Sequence, residues 1–320
     1  MVALVSESVT EPAQTGALPL LVAVLGPTGS GKSQLAARLA ANLRGDVVSC
    51  DSVAIYREME IGAAKPSRAQ RLLAPHHLLD VVAPNEQFSA GDYSRLARTA
   101  IAEISSRGRV PIVAGGTGLY LRALLEGLFD APARDENLRE RLRQTADRRG
   151  AGYVHRLLQK LDAEAAARIH ANDLPKTLRA LEVTIAAGAP MTSAWNAGRD
   201  PLVGYRVVKL GLNPDRKLLY QRIDRRAEQM FAAGLLQETE QLIARYGADC
   251  WPLQSLGYRQ AQAVLRGDMS EAEAIAATAQ GHRNYAKRQM TWFRREQDVN
   301  WVEKFGEEAL ADAMRPLAVP

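Results

Sequence analysis

Eight residues, Gly26-Pro27-Thr28-Gly29-Ser30-Gly31-Lys32-Ser33, fit the phosphate-loop spacing G-x-x-x-x-G-K-[ST] without a mismatch. The backbone N–H groups of such a loop converge on a phosphate held at a helix N-terminus. Lys32 adds a point charge, and the Ser33 hydroxyl is of the kind that ligates magnesium. Asp51 follows a short apolar run. A carboxylate there could hold magnesium or take a proton from an acceptor nucleophile. It could also simply cap a helix beginning near Val53. Thr117, in Gly115-Gly116-Thr117-Gly118, either aims a hydroxyl at the same place or completes a turn.

Two basic clusters could meet an anion. Arg222, Arg225 and Arg226 recur at helical spacing; such clusters are usually solvated, but a diphosphate would want an arginine clamp. His282 to Arg295 carries five Lys/Arg and three aromatics, and no acid occurs from Ala274 to Arg295. On a helix, Arg283, Lys287 and Arg294 share one side, and Tyr285 and Trp292 another. That segment reads as a solvated amphipathic face or as a nucleic-acid surface that neutralises phosphates. His76-His77 and the other histidines lack ligand spacing and read as structural.

These residues need elements to place them. Leu20 to Leu25 is an apolar run without alternation, as in a buried parallel strand. Leu35, Leu39 and Leu43 then mark a helix that should stop at Gly45. A second strand is expected over Asp46 to Cys50, and a third over Val110 to Ala114, with a helix from Leu119. Strands alternating with helices argue for a parallel, doubly wound sheet. Ligands of such sheets sit outside the carboxyl ends of the strands, where the phosphate loop, Asp51 and Thr117 all fall. Tyr205 to Leu212 reads as a returning strand, and helices dominate from Asp215 to Glu296.

The expected fold class is therefore α/β, a P-loop NTPase-like parallel sheet flanked by helices, with an inserted small all-helical domain. Residues 1–17 read as a flexible arm, 18–130 and 201–320 as the core domain, and 131–200 as the Arg-rich helical insertion. The chain has 320 residues, ordinary hydrophobic content (47%) and a net charge of +5, which weakly favours an anionic partner. Two cysteines make no disulfide framework or metal cluster, and no stretch approaches a membrane span. The expectation is a cytoplasmic protein that does not engage a membrane and acts as a monomer.

Asp51-Ser52-Val53-Ala54-Ile55-Tyr56-Arg57-Glu58-Met59-Glu60-Ile61-Gly62-Ala63-Ala64-Lys65-Pro66 resembles the D-S-x-x-x-Y-x-x-x-x-I-G-T-A-K-P segment of bacterial tRNA dimethylallyltransferases. Pro75-His76-His77-Leu78-Leu79-Asp80, Gly115-Gly116-Thr117-Gly118-Leu119-Tyr120, Arg179-Ala180-Leu181-Glu182, Gly257-Tyr258-Arg259 and Ala286-Lys287-Arg288-Gln289 match in order. The resemblance spans Leu21 to Trp301. Ala63 replaces the usual threonine, Gly29 stands where many members have alanine, and the stretches Leu174 to Thr177 and Gln254 to Leu256 depart from the commoner forms.

The resemblance implies transfer of a dimethylallyl group from dimethylallyl diphosphate to N6 of the tRNA adenosine just 3′ of the anticodon. Asp51 would be the general base and Thr117 would lie near the target base. Gly26 to Ser33 would hold the diphosphate with Mg2+, Ser33 as metal ligand, Arg226 at the diphosphate and Arg222 close by. Asp51, Ser52, Val53, Ala54, Thr117 and Arg139 would touch the anticodon stem-loop. So would Pro175, Lys176, Thr177, Leu178 and Arg179; Gln254, Ser255, Leu256, Gly257, Tyr258 and Arg259; and His282, Arg283, Lys287, Arg288 and Gln289. Rival readings are a small-molecule kinase, prenylation of free adenine nucleotides, and a nucleic-acid binding module with a vestigial loop. The basic insert speaks against the first two, and an intact Lys32, Ser33 and Asp51 against the last.

Overall fold

The computed structural model describes residues 18–129, 132, 135–196 and 198–318. The arm expected over residues 1–17 lies outside them. The strands are β1 (Leu20–Leu25), β2 (Gly45–Ser49), β3 (His76–His77), β4 (Val110–Ala114), β5 (Arg206–Leu212) and β6 (Val299–Val302). They form a six-stranded sheet in the order β3-β2-β4-β1-β5-β6, and every neighbouring pair is parallel. The helices are α1 (Lys32–Leu43), α2 (Arg68–Leu73), α3 (Ala90–Ser106), α4 (Gly118–Leu125), α5 (Glu136–Arg149), α6 (Ala151–Leu161), α7 (Ala163–Arg168), α8 (Leu174–Ala187), α9 (Met191–Asn196), α10 (Arg216–Ala232), α11 (Leu235–Tyr246), α12 (Tyr258–Leu265), α13 (Glu271–Phe293) and α14 (Leu310–Met314).

The described residues divide into two compact units. One takes those up to Gln87, Thr99–Gly118 and those from Val203 on; the other is Phe88–Arg98 and Leu119–Leu202. In the first unit, Leu21 to Leu25 of β1 are all buried, as a parallel strand covered on both faces requires. Val22, Val24, Leu35, Leu39, Ile112 and Leu210 share its core. Register explains why three separate segments meet. Val24 on β1 and Ser49 on β2 are both partners of Ala114 on β4. The three strands therefore end side by side, and the phosphate loop, Asp51 and Gly115–Thr117 leave from one edge.

Two local expectations are corrected. The first helix is terminated by Arg44, which adopts a left-handed conformation at φ 51°, and Gly45 already belongs to β2. A Cβ on Gly45 would stand 2.4 Å from the Val110 carbonyl oxygen, so glycine is there to let β2 and β4 approach. No helix starts at Val53; residues 52–55 form a turn. His76-His77, too short for a pattern to show, is the edge strand β3.

The second unit is helical from α5 to α9. Leu138, Leu142, Val154, Leu158, Leu178 and Leu181 make its core. Asp162 caps α7 by accepting from Ala165 N at 2.9 Å and also takes Thr192 N at 2.9 Å. Buried Glu182 accepts from Asp135 N at 2.8 Å. Tyr93 and Tyr120 stack with centroids 4.4 Å apart, and Arg98 pairs with Asp200 at 2.7 Å.

Candidate active site

A cleft of about 530 Å³ opens at the carboxyl edge of the sheet, entirely within the first unit, lined by Thr28, Gly29, Gly31, Lys32 and Ser33, by Asp51, and by Gly115 and Gly116. Arg222, Arg225, Arg226, Tyr285 and Gln289 line it from α10 and α13, and Ala63, Ala64, Lys65 and Pro66 from the loop before α2. The phosphate loop wraps around left-handed glycines: Gly29 has φ 82°, and Gly31, at φ 89°, is the residue from which α1 starts. Glycine at position 29 thus avoids the strain an alanine would carry there.

The loop is tied on several sides. Ser30 Oγ donates to the Pro27 carbonyl at 2.8 Å, and Gly306 N donates to the Ser30 carbonyl at 3.0 Å. Lys32 Nζ donates to the Pro27 carbonyl at 2.7 Å, and Arg226 donates to Thr28 Oγ1 at 3.4 Å. Burial and the neighbouring Arg226 cation bring the Lys32 ammonium down to about 7, with Asp51 and Cys50 pulling the other way. Burial also lowers Arg226, opposed by Asp51. Two cations held together in a poorly solvated cleft make a site that lacks negative charge.

Asp51 does have the local role considered from its sequence, in a turn instead of a helix. Its Oδ1 accepts from Val53 N at 2.9 Å and Ala54 N at 3.2 Å. Among the described residues, Oδ2 accepts no hydrogen bond. Thr117 Oγ1 accepts from Ser52 N at 3.1 Å, which joins the two strand ends. The glycines around Thr117 serve close approach. A Cβ on Gly115 would lie 1.9 Å from the Cys50 carbonyl oxygen, on Gly116 2.1 Å from Gln289 Nε2, and on Gly118 2.3 Å from Trp292 Nε1.

Gln289 is the residue whose role the sequence concealed. It was expected on the RNA surface, but it is buried. Its Oε1 accepts from Thr28 N at 2.7 Å, and its Nε2 donates to the Gly116 carbonyl at 2.9 Å. Gln289 therefore bridges the phosphate loop and the Gly115–Thr117 turn. One helical turn earlier, Tyr285 faces the same cleft. Burial and then the Asp51 charge push its phenol up to about 12. His76 also lines the cleft, its Nδ1 against the Ala74 carbonyl at 2.9 Å and its Nε2 buried without a partner among the described residues. The signal for Gln289 was the Ala286–Gln289 motif, for His76 the Pro75–Asp80 motif, and for Tyr285 its place as an aromatic in the basic segment.

The remaining expected contacts sort by exposure. His282 is buried, brought down to about 4 by burial and then by Arg226, and so is neutral at physiological pH. Tyr258, Thr177 and Leu178 are buried as well, so none of these side chains presents a surface to RNA. Arg283 pairs with Asp224. Lys287, Arg288, Gln254 and Arg259 are exposed, and Ser52, Val53, Ser255 and Leu256 are half-buried. In the second unit, Pro175 and Lys176 are exposed at the start of α8, while Arg139 and Arg179 are half-buried, Arg179 pairing with Glu182 at 3.1 Å. Arg222 lies with its guanidinium 4.5 Å from the Phe305 ring centre.

Residues 54–296 match the family model described as IPP transferase. The chain is 56% identical over 291 residues, 91% of this chain and 95% of the other, to a tRNA dimethylallyltransferase of Koribacter versatilis. It is 53% identical over 89% of this chain and 93% of the other to that of Solibacter usitatus. Among solved structures, the tRNA isopentenylpyrophosphate transferase of Bacillus halodurans superposes with a TM-score of 0.68 at 37% identity, over 93% of this chain and 95% of that one. A eukaryotic dimethylallyltransferase acting on tRNA superposes at 0.80, with 25% identity, over 95% of this chain and 78% of that one.

Proposed function

The chain belongs to the IPP transferase family, and from that premise we propose how its cleft works. It is an enzyme that transfers a dimethylallyl group to tRNA. The kinase and free-nucleotide readings are not favoured. The donor in this proposal is dimethylallyl diphosphate, and the acceptor is N6 of the adenosine just 3′ of the anticodon, within the anticodon stem-loop. The observation that carries it is the charge layout of the cleft. Lys32 and Arg226 converge on the phosphate loop, and a carboxylate, Asp51, stands at the neighbouring strand end.

The diphosphate is the leaving group. Lys32, Arg226 and the loop's N–H groups stabilise the charge it gains as the allylic C1–O bond breaks. Thr28 N is already held by Gln289, so the donors for phosphate come from the later residues of the loop. The N6 lone pair forms the new bond to C1, and its proton passes to Asp51 Oδ2. The turn bonds on Oδ1 fix the carboxylate in place meanwhile. The acceptor base is stacked in a free stem-loop and has to be flipped out to reach the cleft.

Among the described residues no group of three or more acidic, His or Cys side chains could cage a metal ion. A single serine hydroxyl beside a diphosphate nevertheless suits Mg2+, which is commonly held through substrate phosphates. Ser33 would hold it, and when bound it would neutralise charge on the leaving group. Contacts with tRNA fall to the exposed residues named above, chiefly through phosphates. We further propose that the protein is a cytoplasmic monomer; no helix among the described residues is long and apolar enough to cross a membrane.

The test is an assay with dimethylallyl diphosphate and unmodified tRNA bearing adenosine at that position, with AMP and ATP as rival acceptors. Prenylated tRNA is expected. ATP consumption without prenyl transfer overturns the proposal.

A further inference from the structure

Glu238, on α11, lies outside every motif of the sequence, yet its carboxylate gathers four donors. Oε2 accepts from Glu60 N at 3.1 Å and Ile61 N at 2.9 Å, and Oε1 from Gly62 N at 3.2 Å and Tyr258 OH at 2.5 Å. Three consecutive backbone N–H groups on one carboxylate make a strong, charge-assisted anchor. Tyr258, the first residue of α12, is fully buried. Its ring fills the space where a side chain at residue 62 would go, with ring carbons from 2.3 Å of an added Cβ.

The segment thus anchored continues directly into Ala63, Ala64, Lys65 and Pro66, which line the cleft. Its far end is pinned too. Lys65 Nζ donates to the Tyr56 carbonyl and to Glu60 Oε1, both at 2.8 Å, and pairs with Asp80. Between the anchors Ala64 is held at φ 47°, a left-handed conformation unusual for alanine. Such strain persists where the surroundings over-determine it. Two motifs far apart in sequence, Ile61–Pro66 and Gly257–Arg259, therefore meet on a residue that neither contains.

We propose that Glu238, braced by Tyr258, is a positioning residue that fixes the Ala63–Pro66 wall of the donor pocket. This rests on the reading of the cleft as the site of dimethylallyl diphosphate. Tyr258 then serves the donor side of the enzyme from beneath, while its neighbour Arg259 remains exposed.

The experiment uses the full-length chain with Glu238→Ala, Glu238→Gln and Tyr258→Phe. Three quantities are read: the donor KM at saturating tRNA, the Kd for tRNA by filter binding, and hydrogen exchange at the amides of Glu60, Ile61 and Gly62. Glu238→Ala is expected to raise the donor KM about tenfold, the order expected for lost charge-assisted bonds, with tRNA Kd within about twofold. The three amides should exchange faster. Glu238→Gln, which keeps one acceptor oxygen, should recover most of the donor KM. Tyr258→Phe should fall between and, losing only a hydroxyl, decides the matter if Glu238→Ala does not fold. An unchanged donor KM despite faster exchange overturns the inference, as does a loss confined to tRNA affinity. If the wild-type chain makes no prenylated tRNA, it is the proposed function that fails instead.

Discussion

Lys32 sits beside Arg226 in a cleft that lowers its ammonium to about 7. Without a ligand, the folded protein therefore holds fewer protons than the unfolded chain between that value and the ordinary 10.5. By linkage, the stability of the unligated protein should rise with pH across this window, and Lys32→Met should flatten the rise. An arriving diphosphate restores the charge. Near pH 8, binding should take up close to one proton, seen in calorimetry as a heat that scales with buffer ionisation enthalpy. Lys32→Arg, permanently charged, should bind without it. Asp51 separates into two oxygens with two tasks. Asp51→Asn keeps Oδ1 for Val53 and Ala54 but removes the base. It should fold as stably as the native chain, yet lose turnover by roughly 10²- to 10⁴-fold, the usual span for a lost general base. Asp51→Ala should lose turnover alike and stability as well, while tRNA binding survives both. Substantial turnover in either variant would remove Asp51 from the chemistry. These side chains were legible from sequence because a phosphate loop and a strand-end carboxylate announce themselves by local spacing. Gln289 was not, because its partners Thr28 and Gly116 lie 261 and 173 residues away.

At the scale of elements, the strands and long helices were readable where period and apolar runs are strong. What escaped was decided by neighbours. β3 has two residues and is defined only by pairing with β2. Gly45 looked like a helix stop because glycine usually is one, but its real constraint is the Val110 carbonyl across the sheet. The Gly115–Gly118 run looked like turn chemistry, yet none of its glycines has a positive φ. They are small so that the Cys50 carbonyl, the Gln289 amide and the Trp292 ring can come close. Gln289→Ala should therefore do more than trim a side chain. It leaves Thr28 N unmatched, at about 1–3 kcal/mol for a buried unsatisfied group, and leaves the Gly116 carbonyl only the longer contact from the Tyr285 hydroxyl at 3.5 Å. The unfolding midpoint should fall and the donor KM should rise, with tRNA Kd nearly unchanged. A loss of tRNA affinity alone would instead assign Gln289 to the RNA surface.

For the whole molecule, a net charge of +5 says little by itself; where its exposed cations stand says more. Lys287 and Arg288 are exposed on α13 in the first unit, and Lys176 is exposed at the start of α8 in the second, where it pairs with Asp173 at 2.5 Å. If each neutralises a tRNA phosphate, each alanine substitution should weaken binding and make it less sensitive to salt, since every neutralised phosphate contributes about 0.7 to 0.9 to the log–log slope. An unchanged slope in Lys287→Ala would make that face merely solvated. A double variant offers a sharper test. Lys176 and Lys287 belong to separate cores, so if both lysines meet tRNA, the binding costs of Lys176→Ala and Lys287→Ala should sum within about 0.3–0.5 kcal/mol in the double variant. A double variant no weaker than the worse single one would mean that only one of the two lysines meets the RNA, and the slope change of each single variant would say which.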